Sequence, residues 1–324
     1  LILFETTVPP GTSEKVLIPQ IIKILKKRKL KISDINYAFS FERVMPGKNY
    51  LNSITSNFRC YSGFNESSKI KCKKFLSSFI NTKKFPLTEL NSITECETAK
   101  ILENSYRAIN IAFIDEWTKY ADRLKINLFD VINSIKKRPT HSNIMNPGLG
   151  VGGYCLTKDP LFAISSSKIF FKKRNSFPII KKSISINKQM PNYALEYIKS
   201  VCKITNKSKI LILGVTYKED VGDIRHSPSI SLMKKLLRYS RNIKYIDPFF
   251  SKKICNCTSL KLQDNLKNFD LILLCTAHKQ FKKLEANFFS KKTFIFDLNN
   301  VLKEIQFQKF ERKLKIFKLG NYAN

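Results

Sequence analysis

Residues 146–160, NPGLGVGGYCLTKDP, place a cluster of glycines shortly before a cysteine. Four of the ten glycines in the chain fall within residues 148–153, and Cys155 follows. Glycine permits a positive φ or the close approach of another group, at a cost in conformational entropy. Two interpretations stay open: an irregular surface loop with an incidental cysteine, or a loop that holds a ligand beside a cysteine nucleophile.

A second candidate site lies on a long helical pattern over residues 94–125. Lys100, Asn104 and Arg107 are spaced so that they share one stripe of this helix. The stripe is either a solvated face or the lining of a cleft. A further helix is predicted near residues 128–137. The residues that recur at steps of three and four and predict a broad apolar face are Ile101, Leu102, Ile109, Ala112, Phe113, Trp117, Tyr120, Ala121 and Leu124.

The composition indicates a soluble, globular protein long enough for two domains, with 324 residues of which 43% are hydrophobic. No apolar run approaches the roughly 18 residues that suggest a membrane span, and the first residues do not form a secretion signal. The eight cysteines show neither a CxxC pair nor metal-ligand spacing. We therefore expect no metal, reduced thiols and a cytoplasmic location.

The formal net charge of +33 is compatible with a nucleic-acid-binding protein or with a lysine-rich composition that attracts an anionic ligand. Lysines are spread along most of the chain, and no block joins a basic stripe to a nucleic-acid-binding motif. We favour the compositional explanation, and expect no specific nucleic acid and no membrane among the partners.

The pattern of elements predicts an α/β protein. LILF reads as a strand, Ser13 as the N-cap of a helix to about Lys29, and INYAFS as the next strand. From about residue 208, KILILG, IKYIDP, DLILLCT and TFIFDL read as strands separated by helical segments. Strands alternating with helices predict a parallel sheet, with the ligand at the carboxyl ends of the strands.

The connection after KILILG, GVTYKEDVGDIRHSP, carries Lys218 and Arg225, which suit a diphosphate. It lacks the GxGxxG fingerprint of dinucleotide sites, so a mononucleotide is the better prediction for this domain.

Several motifs together resemble the UDP-glucose/GDP-mannose dehydrogenase family of nucleotide-sugar 6-dehydrogenases. They occur in the order of the family and cover nearly the whole chain: ETTVPPGT, FERVMPGK, ETAKILENSYRAINIAF, PGLGVGGYCLTKDP, GVTYKEDVGDIRHSP and IDP. The resemblance implies two doubly wound parallel-sheet, Rossmann-like domains joined by a long central helix, the first domain being incomplete.

The same resemblance implies three domains. Residues 1–92 would be the C-terminal part of an NAD-binding domain, residues 93–200 a central helical region for dimerisation and the active site, and residues 201–324 a UDP-sugar-binding domain. Because the NAD fingerprint of the family would precede residue 1, we expect an N-terminal portion to be missing and this chain alone to be inactive.

The resemblance makes Cys155 the nucleophile, which would form a thiohemiacetal and then a thioester with the substrate. It assigns further catalytic roles to Lys100, Asn104, Asp159, Glu42 and Thr7. It assigns substrate binding to Glu42, Arg43, Lys100, Asn104, Gly148, Gly150, Gly152, Tyr217 and Lys218. It assigns NAD binding to Thr6, Thr7, Lys158 and Arg225.

Some of these residues also have simpler interpretations. Glu42 and Arg43 could form a surface ion pair, and Asp159 could cap a helix. Asn299 stands where the family usually has a basic residue, which puts one substrate contact in doubt. Phe41 stands where the family often has proline. His278 matches a family position and is interpreted as structural.

The function implied is an NAD-dependent, four-electron oxidation of the C6 hydroxyl of a UDP-linked hexose or N-acetylhexosamine to the uronic acid, for polysaccharide precursor synthesis, by a homodimer formed through the central helix. The main alternative is a truncated, non-catalytic remnant that dimerises or binds nucleotide sugar. A basic nucleic-acid-binding protein is a third, weaker alternative.

Overall fold

The computed structural model describes residues 1–45, 47, 49–173, 176–262 and 265–321. The chain divides into two compact units. The first unit consists of Leu1–Arg107 and Lys158–Lys181, and the second of Ala108–Thr157 and Lys182–Asn324. Each unit is therefore built from two separate stretches of the chain.

The helices and strands alternate along much of the chain. The strands are β1 (Ile2–Phe4), β2 (Tyr37–Phe39), β3 (Cys60–Gly63), β4 (Thr88–Glu89), β5 (Ile210–Leu213), β6 (Ile243–Ile246), β7 (Leu271–Leu274), β8 (Phe294–Asp297) and β9 (Lys315–Lys318). The α-helices are α1 (Ile18–Lys27), α2 (Tyr50–Thr55), α3 (Glu66–Ser77), α4 (Ile93–Leu124), α5 (Leu128–Lys136), α6 (Cys155–Lys158), α7 (Phe162–Ile169), α8 (Pro178–Val201), α9 (Pro228–Leu236) and α10 (Glu304–Glu311).

The sheet of the first unit has the strand order β1-β2-β3-β4. The pairs β1 with β2 and β3 with β4 are parallel, whereas β2 and β3 are antiparallel, so this sheet is mixed. The predicted strands LILF and INYAFS correspond to β1 and β2. In the motif FERVMPGK that follows β2, Pro46 and Lys48 lie outside the described residues.

The prediction that Ser13 is a helix N-cap is wrong. Ser13 is the first residue of a short π-helix, Ser13–Leu17, that leads into α1, and Thr12 precedes it without a side-chain cap. The amides of Gly11 and Ser13 instead donate to the buried carboxylate of Glu97 at 2.6 and 2.9 Å. A carboxylate from α4 therefore satisfies the free amides of this helix start. Burial raises the pKa of Glu97, and these hydrogen bonds oppose the increase.

The sheet of the second unit is entirely parallel, with the order β6-β5-β7-β8-β9. The central strands β5 and β7 consist of the apolar runs ILIL and LILL, and every residue in them is buried. Alternate residues of these strands enter two separate apolar clusters. A strand that is buried on both faces needs such a continuous apolar run. The predicted parallel sheet and α/β fold class are confirmed.

The predicted long helix and the helix predicted after it are confirmed as α4 and α5, but the apolar face of α4 is not buried throughout. Ala112 and Ala121 are buried, whereas a row of large apolar side chains in the second unit is exposed. This row consists of Phe113, Trp117, Tyr120 and Leu124. Neighbouring rings along it, Phe113 with Trp117 and Trp117 with Tyr120, pack edge to face.

Within the described ranges, no helix combines the length and the apolar character needed to cross a membrane. In the same part of the chain, no group of three or more histidine, cysteine, aspartate or glutamate side chains could hold a metal ion.

Candidate active site

Asn104 and Asp159, two predicted catalytic residues, are hydrogen-bonded to each other inside the first unit. Asn104 Nδ2 donates to Asp159 Oδ2 at 3.1 Å, and both residues are buried. Lys158 Nζ lies 3.2 Å from Asp159 Oδ1. Burial raises the pKa of Asp159, while the charge of Lys158, that of Lys100 and the hydrogen bond from Asn104 oppose the increase. A carboxylate with these partners is held in one orientation.

Asp159 does not cap the helix that follows it. It begins a 3₁₀ turn, Asp159–Leu161, and Leu161, which precedes α7, makes no side-chain cap. The side chain of Asp159 is engaged by Asn104 and Lys158 instead.

The predicted stripe on α4 divides between buried and exposed positions. Lys100 is half-buried, and its Nζ donates to the carbonyl oxygen of Glu42 at 3.1 Å. The same ammonium lies 5.2 Å from the centre of the Phe41 ring. Asn104 is buried, whereas Arg107 is exposed. The cleft interpretation is therefore favoured for the first two residues and the solvated face for the third.

Glu42 and Arg43 do not pair with each other. Arg43 Nη2 lies 2.8 Å from Glu103 Oε2, and its guanidinium lies 5.2 Å from the centre of the Phe41 ring. The carboxylate of Glu42 accepts a hydrogen bond from the amide of Val44. The predicted ion pair between Glu42 and Arg43 is therefore absent, and each of the two side chains has a different partner.

Thr6 and Thr7 lie in the loop that follows β1. Thr6 is exposed and Thr7 is half-buried. Their hydroxyl groups make no hydrogen bond within the described part of the chain. Both hydroxyls therefore lie just beyond the carboxyl end of a strand, which is where open α/β sheets bind their ligands.

The glycine loop belongs to the second unit, and its glycines pack closely against the protein itself. Gly150 has a φ of +104°, and an added Cβ would lie 2.5 Å from the carbonyl oxygen of Asn187. A Cβ on Gly152 would lie 2.5 Å from Cβ of Tyr217. No L side chain fits either position without displacing backbone or a packed residue. Cys155 follows this loop as the first residue of α6 and is exposed.

Asn299 connects the start of the glycine loop to the parallel sheet. Its Oδ1 accepts the amide of Leu149 at 3.4 Å, and its Nδ2 donates to the carbonyl oxygen of Cys275, just after β7, at 3.0 Å. A Cβ on Gly148 would lie 2.7 Å from the same Oδ1. The sequence marks Asn299 only as a departure from the family pattern, whereas the structure gives it this connecting role.

Tyr217 and Arg225 lie beside the end of the glycine loop. A Cβ on Gly153 would lie 2.8 Å from the Tyr217 ring, and the Gly153 amide donates to the carbonyl oxygen of Arg225 at 2.9 Å. Burial raises the pKa of Tyr217, and the charges of Asp223 and Cys155 add to the increase. The glycine loop that precedes Cys155 therefore packs against Tyr217.

The Arg225 guanidinium is already paired on the surface. Its Nε lies 2.9 Å from Asp223 Oδ2 and 3.0 Å from Asp223 Oδ1, and the group lies 4.6 Å from the centre of the Tyr154 ring. Lys218, next to Tyr217 in the chain, is half-buried.

Glu97 is a residue of this region that the sequence analysis missed. It precedes Lys100 by three residues on α4 and binds the amides that follow the Thr6–Thr7 loop. An acidic residue in the run ETAKILEN was visible, but its partners are more than eighty residues away in the chain. No local pattern indicates such a contact.

Two family models match the chain. The UDP binding domain of the UDP-glucose/GDP-mannose dehydrogenase family matches residues 211–304, and the central domain of the same family matches residues 94–189. A UDP-N-acetyl-D-mannosamine dehydrogenase of Methanococcus vannielii is 34% identical over 331 residues, covering 100% of this chain and 71% of that protein. The chain belongs to the UDP-glucose/GDP-mannose dehydrogenase family and is a nucleotide-sugar dehydrogenase by descent.

Other relatives are consistent with this family. A UDP-N-acetyl-D-mannosamine dehydrogenase of Campylobacter jejuni is 28% identical over 303 residues, covering 89% of this chain and 70% of that protein. The solved structure of the UDP-D-ManNAc dehydrogenase from Pyrococcus horikoshii superimposes with a TM-score of 0.81 at 25% identity. That match covers 100% of this chain and 73% of the other.

Proposed function

We propose that this protein oxidises the C6 hydroxyl of a UDP-linked sugar to a uronic acid, with two equivalents of NAD, for polysaccharide precursor synthesis. The relatives are named for UDP-N-acetyl-D-mannosamine, and we propose the same sugar for this chain. The observation that carries the proposal is the exposed Cys155, which follows a close-packed glycine loop beside Tyr217. Because all eight cysteines are free, we propose that the reaction takes place in the reducing cytoplasm.

Cys155 supplies the covalent step of the proposed reaction. The C6 alcohol first loses a proton and a hydride to give an aldehyde. The Cys155 thiolate adds to that carbonyl to give the alkoxide form of a thiohemiacetal, which loses a second hydride to give a thioester. Water then breaks the carbon–sulfur bond, which releases the carboxylate and the free thiol. When bound, NAD supplies the hydride acceptor for both oxidations.

We assign the remaining catalytic roles to residues whose positions are fixed in the first unit. The Lys100 ammonium, held by the carbonyl of Glu42, stabilises the oxyanion that develops at C6, and the Asn104 amide assists it. Asp159, held by Asn104 and Lys158, orients the hydrolytic water together with Thr7. The Glu42 carboxylate takes part at the reacting centre.

The residues proposed for NAD fit the cofactor in part. The hydroxyls of Thr6 and Thr7 lie beyond the carboxyl end of β1 without partners among the described residues, so they can accept or donate hydrogen bonds to a ribose or carboxamide. The amides at the helix start after them are bound by Glu97 and are not open to a phosphate. Lys158 and Arg225 supply positive charge, each beside a carboxylate.

Some of the residues proposed to bind the UDP-sugar belong to the second unit, and the others belong to the first. Tyr217 and Lys218 follow the carboxyl end of β5, the usual position of a ligand in a parallel sheet. We propose that Gly148, Gly150 and Gly152 line the sugar, and that Arg43, Glu42, Lys100 and Asn104 also contact the substrate. From the resemblance to the family, we also propose the division into three domains with boundaries after residues 92 and 200.

We propose that the exposed row on α4, Phe113 to Leu124, forms a homodimer contact. Trp117 is 44% exposed and Tyr120 is 53% exposed, and both sit among further apolar side chains. Aromatic residues are enriched in the buried centre of protein interfaces. A second copy of this helix, related by a twofold axis, would cover the row with the same side chains.

The reaction is tested by replacing Cys155 in the product of the complete reading frame and following acid, NADH and covalent mass with UDP-N-acetyl-D-mannosamine. We expect Cys155→Ala to form no acid but to keep UDP-sugar affinity within about tenfold, because other residues hold the nucleotide. Cys155→Ser should stop after covalent addition, because an ester hydrolyses less readily than a thioester.

Cys255→Ala is the matched control, since Cys255 is also exposed, and it should retain normal turnover. Acid formation at the normal rate by Cys155→Ala would remove Cys155 from the mechanism. Nucleotide-sugar binding without turnover by the unchanged protein would instead favour the non-catalytic remnant.

A further inference from the structure

His278 and Asp247 form a buried pair at the carboxyl edge of the second sheet, and the proposed reaction gives neither residue a role. Asp247 follows β6, and His278 follows β7 by four residues. His278 has no exposed surface, and Asp247 is 8% exposed. The two side chains meet through His278 Nε2 and Asp247 Oδ2, which are 3.1 Å apart.

Asp247 binds the start of the loop that follows β5. Its Oδ2 accepts the amides of Val215 and Thr216 at 2.8 and 3.0 Å, and the Thr216 hydroxyl lies 3.2 Å from the same oxygen. The pKa of Asp247 is lowered: burial alone would raise it, but the hydrogen bonds from His278 and from the backbone amides favour the ionised carboxylate. An ionised carboxylate is the acceptor that these donors require.

His278 binds the other end of the same loop. Its Nδ1 accepts the amide of Asp220 at 3.0 Å, so Nδ1 carries the lone pair and Nε2 carries the hydrogen that faces Asp247. The ring stacks on Phe249, with 5.3 Å between ring centres, and meets the edge of Phe281 at 5.4 Å. Both polar atoms of the imidazole are therefore in hydrogen bonds, and the ring packs against two aromatic side chains.

The loop between these two anchor points carries Tyr217 and Lys218. Thr216 on one side is bound to Asp247, and Asp220 on the other side is bound to His278. Only three residues lie between the anchors, so the backbone that carries Lys218 has little freedom to move. Thr276 adds a third restraint, because its hydroxyl donates to the carbonyl oxygen of Thr216 at 2.7 Å.

We propose that His278 and Asp247 are positioning residues for nucleotide-sugar binding, which act by holding the Tyr217–Lys218 loop in its binding conformation. This inference rests on the proposed function, since it takes the loop as part of the UDP-sugar site. Neither residue contacts the substrate. A histidine that only filled the core would be replaceable by another aromatic ring, whereas a positioning histidine needs its two nitrogen atoms.

The test compares three replacements of His278 in the 324-residue chain, with UDP as the probe. His278→Phe keeps a ring and loses the hydrogen bonds of both ring nitrogen atoms. His278→Gln keeps a donor toward Asp247, and His278→Asn keeps an acceptor toward the Asp220 amide. UDP affinity is measured by calorimetry, thermal stability by circular dichroism, and loop protection by hydrogen exchange of residues 215–220.

We expect His278→Phe to weaken UDP binding by about tenfold or more. We expect His278→Gln and His278→Asn to weaken it by about threefold each, because each keeps the hydrogen-bonding role of one of the two nitrogen atoms. Hydrogen exchange of the Thr216 and Asp220 amides should accelerate most in His278→Phe and less in His278→Gln and His278→Asn. These effects should exceed any that follow from lower thermal stability alone.

Thr216→Val and Thr293→Val form a matched pair that keeps the test valid if His278→Phe does not fold. Each removes one buried hydroxyl, and Thr293, whose hydroxyl donates to Phe269 at 2.7 Å, lies at the opposite end of the sheet. We expect Thr216→Val to weaken UDP binding and Thr293→Val to leave it unchanged at a comparable loss of stability.

Equal UDP affinities in the His278 variants and the unchanged chain would overturn the positioning role while leaving the proposed function standing. An equal loss of affinity in Thr216→Val and Thr293→Val would also overturn it, since the effect would then be general destabilisation. No UDP binding by the unchanged, folded chain would overturn the proposed function and this inference together.

Discussion

Asp115 on α4 should make the stability of the second unit strongly dependent on pH. It is 1% exposed, and its Oδ2 has no hydrogen-bond partner among the described residues. Burial raises its pKa from 3.8 to about 8, with Lys119 as a weak opposing charge. A carboxyl group with a raised pKa takes up a proton when the chain folds, so the free energy of unfolding falls as the pH rises from about 4 to about 8.

The replacement Asp115→Asn keeps the shape of the side chain and removes its titration. One pKa unit corresponds to about 1.4 kcal/mol, so a separation of about four units costs at most about 6 kcal/mol above pH 8. Asp122 contributes in the same direction, because burial raises its pKa to about 6. Its contribution ends near that pH, which leaves pH 6 to 8 as the window that reports Asp115.

The pH dependence of stability is tested by urea unfolding between pH 5 and 9, followed by the fluorescence of Trp117. Trp117 is the only tryptophan of the chain and lies near Asp115 on α4. Between pH 6 and 8 we expect the unchanged protein to lose about 2 kcal/mol or more relative to Asp115→Asn. Asp130→Asn is the control, since Asp130 is exposed, and it should follow the unchanged protein. Parallel profiles for Asp115→Asn and the unchanged protein would refute the buried-carboxyl argument.

Two further predictions concern α4. Lys100→Met and Asn104→Ala should each lower the turnover rate of the complete protein by about a hundredfold or more, with smaller changes in KM. The reason is that both side chains are proposed to stabilise the developing oxyanion. Normal turnover rates would show that the two residues have only a structural role. Lys119→Met is the control on the same helix. Trp117→Arg should dissociate the proposed dimer in sedimentation experiments, whereas Phe288→Arg, at a similarly exposed aromatic residue, should not. A dimer that persists in Trp117→Arg would place the contact elsewhere.

The local sequence was sufficient for the elements of the second unit and for the family. The runs ILIL and LILL are apolar at every position, which is typical of a strand covered on both faces. The order of six motifs was also visible without coordinates, as was the combination of a glycine cluster with Cys155. These features depend on residues that are neighbours in the chain.

The partners of individual side chains depend on contacts between distant parts of the chain. Ser13 was predicted to cap its own helix, but its amide is bound by Glu97, which is 84 residues away in the chain. Asn299 binds Leu149 across 150 residues, and Arg43 pairs with Glu103 instead of the adjacent Glu42. Such pairings follow from which side chains the packed core forces together, and their spacing in the chain carries no information about them.

Burial was the other property that the sequence left open. The apolar residues of α4 cover a wide arc of the helix surface. The amphipathic pattern does not show which part of that surface is buried against other residues of the same chain. The tertiary structure buries Ala112 and Ala121 and leaves Trp117 and Tyr120 exposed. It likewise buries Asp115 with one carboxylate oxygen unpaired among the described residues, and His278 with hydrogen bonds at both ring nitrogen atoms. A side chain is buried or exposed according to what packs over it, which only the assembled fold decides.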